Sequence, residues 1–167
     1  MLTEKNTTHT PVETLLYANQ FILGPRFAEN FSSWQRLRAG DAVFLTVHPL
    51  LSVCQLSRDN KTLTLLGYIL DPERPEAGDC EILDSLINKL SPCETFFKHT
   101  SIFGGRWVLI ADDGANIRLF NDAIGLRQVF YTDKDVTGEL WCASQPEMIA
   151  DLLSLPMNTD AVDFVNS

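Results

Sequence analysis

The sequence has few basic residues and no long hydrophobic run. Lys and Arg together number 13 against 22 Asp and Glu residues, which gives a formal net charge of −9. Because phosphate binding needs a concentrated basic surface, this balance argues against a nucleic-acid function. No apolar segment approaches the length that crosses a bilayer. We therefore predict neither a nucleic-acid partner nor a membrane partner.

The sequence also lacks the cysteine and histidine spacing of a metal site. None of Cys54, Cys80, Cys93 and Cys142 belongs to a Cys-x-x-Cys pair, and the three histidines are scattered. No secretory signal precedes the cysteines, so we predict a cytoplasmic protein without a disulfide frame. We interpret each cysteine as a small buried hydrophobic residue. The prediction for this chain is no metal and no cofactor.

What the sequence does contain is enough apolar material for one folded domain. Hydrophobic residues make up 45% of the 167 residues and include ten Phe and three Trp, a content that argues against disorder. We predict a flexible, threonine-rich tail over residues 1–16 and the folded domain over residues 17–156. Residues 157–167 are predicted to start a linker or helix toward a second domain.

The first half of the chain has the composition of β-structure. A short strand is predicted at 20–23, where Gly24 and Pro25 end it. Aliphatic and β-branched residues predict further strands at 41–47, 52–56 and 62–70. A polar hairpin turn is predicted at 58–61. We expect these segments to form a first sheet.

Two helices are predicted after this sheet. Asp79 is a candidate N-cap for the first, whose apolar residues recur at helical spacing. They are Ile82, Leu83, Leu86, Ile87 and Leu90. Ser91 and Glu94 have the spacing of a capping box for the second helix, with Pro92 at its first position.

Residues 103–153 predict four strands and then a helix. Segments such as 106–111 carry apolar residues on both alternating faces, a pattern typical of strands covered on both faces. Asp112, Asp113 and Gly114 suit a hairpin turn, and residues 133–138 form a polar loop. Ser144 and Glu147 predict a capping box at the helix start. Blocks in the order β, αα, β predict an α+β fold of helix layer, sheet, sheet and helix layer.

A family resemblance lies within this last segment. Its residues are Asn121-Asp122, Gly125, Val129-Phe130-Tyr131 and, after a strand, Ala143-Ser144. This order resembles the glutaminase domain of asparagine synthetases, which carries Arg-Asp-x-x-Gly-x-x-Pro-Leu-Tyr, a strand and Ala-Ser-Glu at the same spacing. The family is the class II glutamine amidotransferases. The resemblance implies the four-layer αββα sandwich of the N-terminal nucleophile hydrolases.

The resemblance also implies where catalytic groups should stand. The family's nucleophile is a cysteine at the mature N-terminus, but no cysteine precedes Cys54 here. The family's oxyanion-hole Asn-Gly pair falls on Leu66 and Gly67, which leaves only a backbone amide as donor. Asp79 takes the place of the Asp that binds the α-amino group of glutamine. The family's carboxylate-binding Arg has no counterpart within 41–57.

These substitutions predict a domain that has kept the fold and lost the hydrolytic chemistry. We assign no catalytic residue and predict Gly67 and Asp79 as vestigial substrate-binding residues. The predicted role is a structural or regulatory module of a larger asparagine synthetase-like protein, whose ATP-dependent synthetase-like C-terminal domain is the expected partner. Two alternatives stay open. One is an active amidotransferase or amidohydrolase with Thr3 or Cys54 as nucleophile after processing, and the other is a small amino-acid-binding sensor domain.

Overall fold

The computed structural model describes residues 16–90 and 92–156, and within them nine strands form two antiparallel sheets. The strands are β1 (Phe21–Gly24), β2 (Gln35–Arg38), β3 (Phe44–Val47), β4 (Val53–Arg58), β5 (Lys61–Leu70), β6 (Gly104–Asp112), β7 (Ile117–Asn121), β8 (Phe130–Tyr131) and β9 (Cys142–Ala143). The helices are α1 (Asp79–Ile87), α2 (Cys93–Thr100), α3 (Lys134–Thr137) and α4 (Pro146–Leu153). The predicted α+β class is confirmed.

In the part of the chain that the structure describes, no helix combines the length and apolar character that crossing a membrane requires. The predicted terminal segments, residues 1–16 and 157–167, lie outside the described residues except for Leu16. Ser91, predicted to open a capping box, lies outside them as well.

The strands of the first half divide between two sheets, so the prediction that they form one sheet is wrong. Sheet A has the order β2-β3-β1-β9-β8, and sheet B has the order β4-β5-β6-β7. Between β3 and β4 the chain makes a turn in which the Leu51 amide donates to the His48 carbonyl, 2.9 Å away. This turn sends the chain to the other sheet instead of closing a hairpin. Strand β2 was not predicted, because three of its four residues are exposed and it has no apolar run.

Three hydrophobic clusters hold the layers together. The first joins α1 and α2 to sheet B and includes Leu65, Leu83, Leu86, Phe96 and Trp107. The second lies between the sheets and includes Phe21, Leu45, Val47, Leu66 and Val108. The third joins α4 to sheet A and includes Ile22, Trp141, Ala143, Met148 and Ile149.

Strands β5 and β6 contribute alternate residues to two of these clusters. Trp107 and Leu109 face the helices, whereas Val108 and Ile110 face the other sheet. Successive side chains of a strand point to opposite faces, so a strand covered on both faces must be apolar at every position. The interpretation of this segment is thereby confirmed for residues 107–111, which are buried, whereas Arg106 is exposed.

Two hairpin turns have the backbone that their sequences predict. Asp59 and Asn60 both have positive φ angles, 49° and 60°, and connect β4 to β5. Between β6 and β7, Gly114 has φ of 85°, and the Asp113 carboxylate accepts from the backbone amides of the two residues after Gly114. Asn, Asp and Gly are the residues that adopt positive φ most readily.

The predicted apolar stripe of α1 is confirmed, but the predicted caps are not. All five residues of the stripe are buried. The N-cap of α1 is Gly78, whose amide donates to the Glu81 carboxylate at 2.9 Å, and Asp79 is the first helical residue. For α2, the N-cap is Pro92, which was predicted at the first helical position.

The predicted capping box at Ser144 and Glu147 is also wrong. Helix α4 has Gln145 as its N-cap, without a side-chain cap, and Pro146 follows as the first helical residue. The Ser144 hydroxyl accepts from the Phe21 amide at 2.9 Å and so joins the end of β9 to the start of β1. A hydroxyl that is engaged between two paired strands is not available to cap a helix.

The predicted polar loop at 133–138 contains the single-turn helix α3. The Asp133 carboxylate accepts from the Asp135 amide at 2.9 Å, and Gly138 ends the turn with φ of 78°. Local capping by Asp and Gly is sufficient for one turn, although the segment has no apolar periodicity.

Cys54 of β4 and Cys80 of α1 form a disulfide with a Cα–Cα distance of 6.1 Å, so the prediction of no disulfide is wrong. The bond results from the packing of α1 onto sheet B, which brings together two residues that are 26 positions apart. The other two cysteines are free and half-buried, and burial raises the pKa of the Cys142 thiol. For Cys142, which packs beside the cluster between the sheets, the hydrophobic interpretation is confirmed.

Replacing Cys54 and Cys80 together by serine should lower the free energy of unfolding by about 3.5 kcal/mol, because a link across 26 residues restricts the unfolded chain. Urea denaturation with and without dithiothreitol measures the effect. The reductant should lower the midpoint of the native protein and leave that of the double variant unchanged. An unchanged midpoint for the native protein would contradict the bond.

Candidate functional site

Gly67 lies in β5 at a point where the backbone of β6 comes very close. Its φ angle is +100°, and a Cβ atom there would lie 2.2 Å from the carbonyl oxygen of Arg106. The Gly67 amide donates to the Ser52 carbonyl at 2.9 Å. The donor that the resemblance assigns to an oxyanion hole is therefore already engaged within the protein.

The residue before Gly67 offers no donor either. Leu66 is fully buried in the cluster between the two sheets. Its side chain contributes to the core and takes no part in a cleft. The pair Leu66-Gly67 thus has a complete structural explanation.

Asp79 takes the place of a neighbouring strand at the end of β5. Strand β4 pairs with β5 only as far as Val53 and Leu66, so the amides of β5 beyond that point lose their strand partner. Ser52 still accepts from Gly67, and two residues further on the Asp79 carboxylate accepts from the Ile69 amide at 3.0 Å. The two predicted site residues therefore meet at the same short stretch of β5: Gly67 belongs to it, and Asp79 accepts a hydrogen bond from it.

A residue that the sequence analysis did not single out lies beside Gly67. Arg127 is only 6% exposed, and its Nε lies 3.3 Å from the position that a Cβ of Gly67 would occupy. Its Nη1 donates to the Asn19 carbonyl at 3.0 Å. Within the described residues Nε has no hydrogen-bond acceptor, and no carboxylate forms an ion pair with this guanidinium.

The loop before Arg127 is built around Asp122, which is 4% exposed. One carboxylate oxygen accepts from the Leu126 amide at 2.8 Å, and the other accepts from the Arg127 amide at 3.0 Å. Gly125 completes the turn with φ of +66°. Asp122 and Gly125, two residues that carry the family resemblance, thus fix the position of Arg127.

Arg127 and Arg106 line the same cavity, which has a volume of about 580 Å³. It lies where the start of β1, the loop before β8 and the first turn of α4 meet, and Gln20, Ser144, Gln145 and Glu147 also line it. Gly67 and Asp79 do not. Burial lowers the pKa of Arg127, the positive charge of Arg106 lowers it further, and Asp122 raises it.

The sequence matches no known family model and no curated protein. Cys54 is bound in the disulfide, and Thr3, the other candidate nucleophile, lies outside the described residues. In residues 16–90 and 92–156, no three His, Cys, Asp or Glu side chains form a group that could hold a metal ion.

The position of Arg127 in the sequence gives only an incomplete signal of its role. This arginine stands inside the resembling segment, between Gly125 and Val129, but the family motif quoted above leaves its position unspecified. Arginine is rarely buried without a partner, and burial is a property of the fold. Only the structure distinguishes Arg127 from an exposed arginine.

Gly67→Ala should lower the free energy of unfolding by about 3 kcal/mol, because it adds a strained φ to a backbone clash with Arg106. Gly138→Ala is the matched control, since φ there is +78° and no atom lies within 4 Å of the added Cβ. We expect a cost of about 1 kcal/mol for the control. Urea denaturation of both variants compares the costs, and equal losses would contradict the close approach of β6.

Proposed function

We propose that this chain is a glutaminase-like domain of the class II amidotransferase type that does not hydrolyse glutamine. The proposed architecture is the four-layer αββα sandwich. It is supported by the succession of the three hydrophobic clusters, which place α1 and α2, sheet B, sheet A and α4 one after another. The domain acts as a structural or regulatory module of a larger asparagine synthetase-like protein.

One observation carries the loss of hydrolysis: the environment of Leu66 and Gly67. An oxyanion hole needs donors that point at the developing negative charge. Here the Gly67 amide is bound to Ser52, and the Leu66 side chain is buried in the core. Loss of a single such donor costs about two to three powers of ten in rate.

The nucleophile supports the same conclusion. A cysteine attacks as its thiolate, and Cys54 is bound to Cys80. An active amidohydrolase that uses Cys54 would first need the disulfide to be reduced. The proposed partner remains an ATP-dependent synthetase-like domain.

Purified protein should release no glutamate from glutamine, because the Gly67 amide is engaged by Ser52 and the Cys54 thiol is held in the disulfide. A coupled glutamate dehydrogenase assay measures the release, with the Asp79→Ala variant as control for contaminating glutaminase. A rate that Asp79→Ala abolishes would overturn the proposal.

The same assay with dithiothreitol tests the cysteine alternative separately. Here we again expect no release, for native protein and for Cys54→Ser alike. Activity that appears on reduction and is absent from Cys54→Ser would show that the thiol of Cys54 is a nucleophile.

A further inference from the structure

We propose that the cavity lined by Arg106 and Arg127 binds a small organic molecule through a carboxylate group. The inference does not depend on the proposed glutaminase-like identity, because it rests on a buried cation and on the residues around it. It concerns a place that Gly67 and Asp79 do not line.

The guanidinium of Arg127 is buried, which carries a cost in free energy. A guanidinium removed from water is stable only when its charge is offset and its donors are bound. Here Nη1 has the Asn19 carbonyl, but Nε has no acceptor in the described part of the chain. An unsatisfied donor that belongs to a charged group keeps the full cost of its removal from water. A ligand anion in the cavity that Arg127 lines would offset the charge of this guanidinium.

The charges that act on Arg127 come from Asp122 and Arg106. The negative charge of Asp122 acts on Arg127, but the two carboxylate oxygens of Asp122 already accept hydrogen bonds from the amides of Leu126 and Arg127. Arg106 adds a second positive charge, and its Nε is bound to the Leu126 carbonyl at 3.1 Å. Two arginines that line one cavity, and that form no ion pair with a carboxylate of residues 16–90 and 92–156, are typical of a site for an anion.

The balance of charges around the cavity favours an anion with a single negative charge. Glu147 also lines the cavity, and together with Asp122 it limits the excess of positive charge. A carboxylate carries one negative charge, whereas a phosphate monoester carries nearly two at neutral pH. The lower charge suits this balance better. The planar fork of an arginine also matches the two oxygens of a carboxylate.

The size and lining of the cavity bear on the rest of the ligand. A volume of about 580 Å³ lies within the range of small-molecule sites, which is about 300 to 1,000 Å³. Gln20 and Gln145 offer amide groups, and Phe130 and Pro146 offer apolar surface. The cavity therefore has room for an organic group attached to the carboxylate.

Three probes with the same four-carbon tail and different head groups test the proposal: butyrate, butyl phosphate and butylamine. Each is titrated into labelled full-length protein at constant ionic strength, and the NMR signal of the Arg127 Nε–H group is followed. We expect a saturable shift with butyrate, weaker binding of butyl phosphate and none of butylamine. Tighter binding of butyl phosphate would overturn the carboxylate assignment, and no saturable shift with butyrate would overturn the site.

Variants locate the binding on the two arginines. Arg127→Lys keeps the charge and loses the fork, whereas Arg106→Gln changes an exposed residue with little risk to folding. Each should weaken butyrate binding roughly tenfold or more, the effect of one lost charged hydrogen bond. Arg58→Gln is the control, because Arg58 pairs with Asp84 away from the cavity. Equal affinity in Arg106→Gln and Arg58→Gln would contradict the proposal, with circular dichroism confirming that each variant is folded.

Discussion

The pairing of β5 with β6 is the interaction on which the rest of the structure depends. The two strands are in register from Thr62 and Asp112 to Leu70 and Gly104, and alternate residues enter two different hydrophobic clusters. Helices α1 and α2 pack on one face of this pair, and sheet A packs on the other. The layer of α1 and α2 and sheet A are therefore both positioned by contact with the same two strands.

Both candidate sites lie near the end of this strand pair where two glycines adopt positive φ. Gly67 and Gly105 have positive φ at the same end of the two strands. The pairing of β4 with β5 stops one residue before Gly67, at the pair of Val53 and Leu66. The free edge of β5 is then covered by Asp79, and Arg127 packs beside Gly67. Gly67 and Asp79, which resemble substrate ligands, thus have structural roles, whereas Nε of Arg127 has no acceptor among residues 16–90 and 92–156.

The hydrophobic pattern was sufficient to predict most elements, because burial on one face or on two has a direct signature in the sequence. It predicted both faces of β6 and the stripe of α1 correctly. It failed where the outcome depends on tertiary neighbours. Nothing local tells that Ser144 binds Phe21 instead of capping α4, or that Cys54 meets Cys80. The exposed strand β2 had no apolar signal at all.

The same limit applies to the sites. Asp79 was predicted as a site residue because it matches the family's substrate-binding Asp. Its partner is the Ile69 amide, which is free to bind it because β4 does not pair with β5 beyond Leu66. Arg127 was missed because charge and burial conflict, and a sequence displays only the charge. The burial of Arg127 results from the loop that folds around Asp122.

The topology of the two sheets has a consequence for the order of folding. Sheet B comes from one continuous part of the chain, residues 53–121, whereas sheet A joins β1, β2 and β3 to β8 and β9. Contacts between residues distant in sequence form slowly, because a long loop must close first. As the chain leaves the ribosome, sheet B can assemble early, but strand β1 must wait for β9. Until Ser144 has been synthesised, the Phe21 amide has no hydroxyl to bind, and β1 remains exposed along one edge.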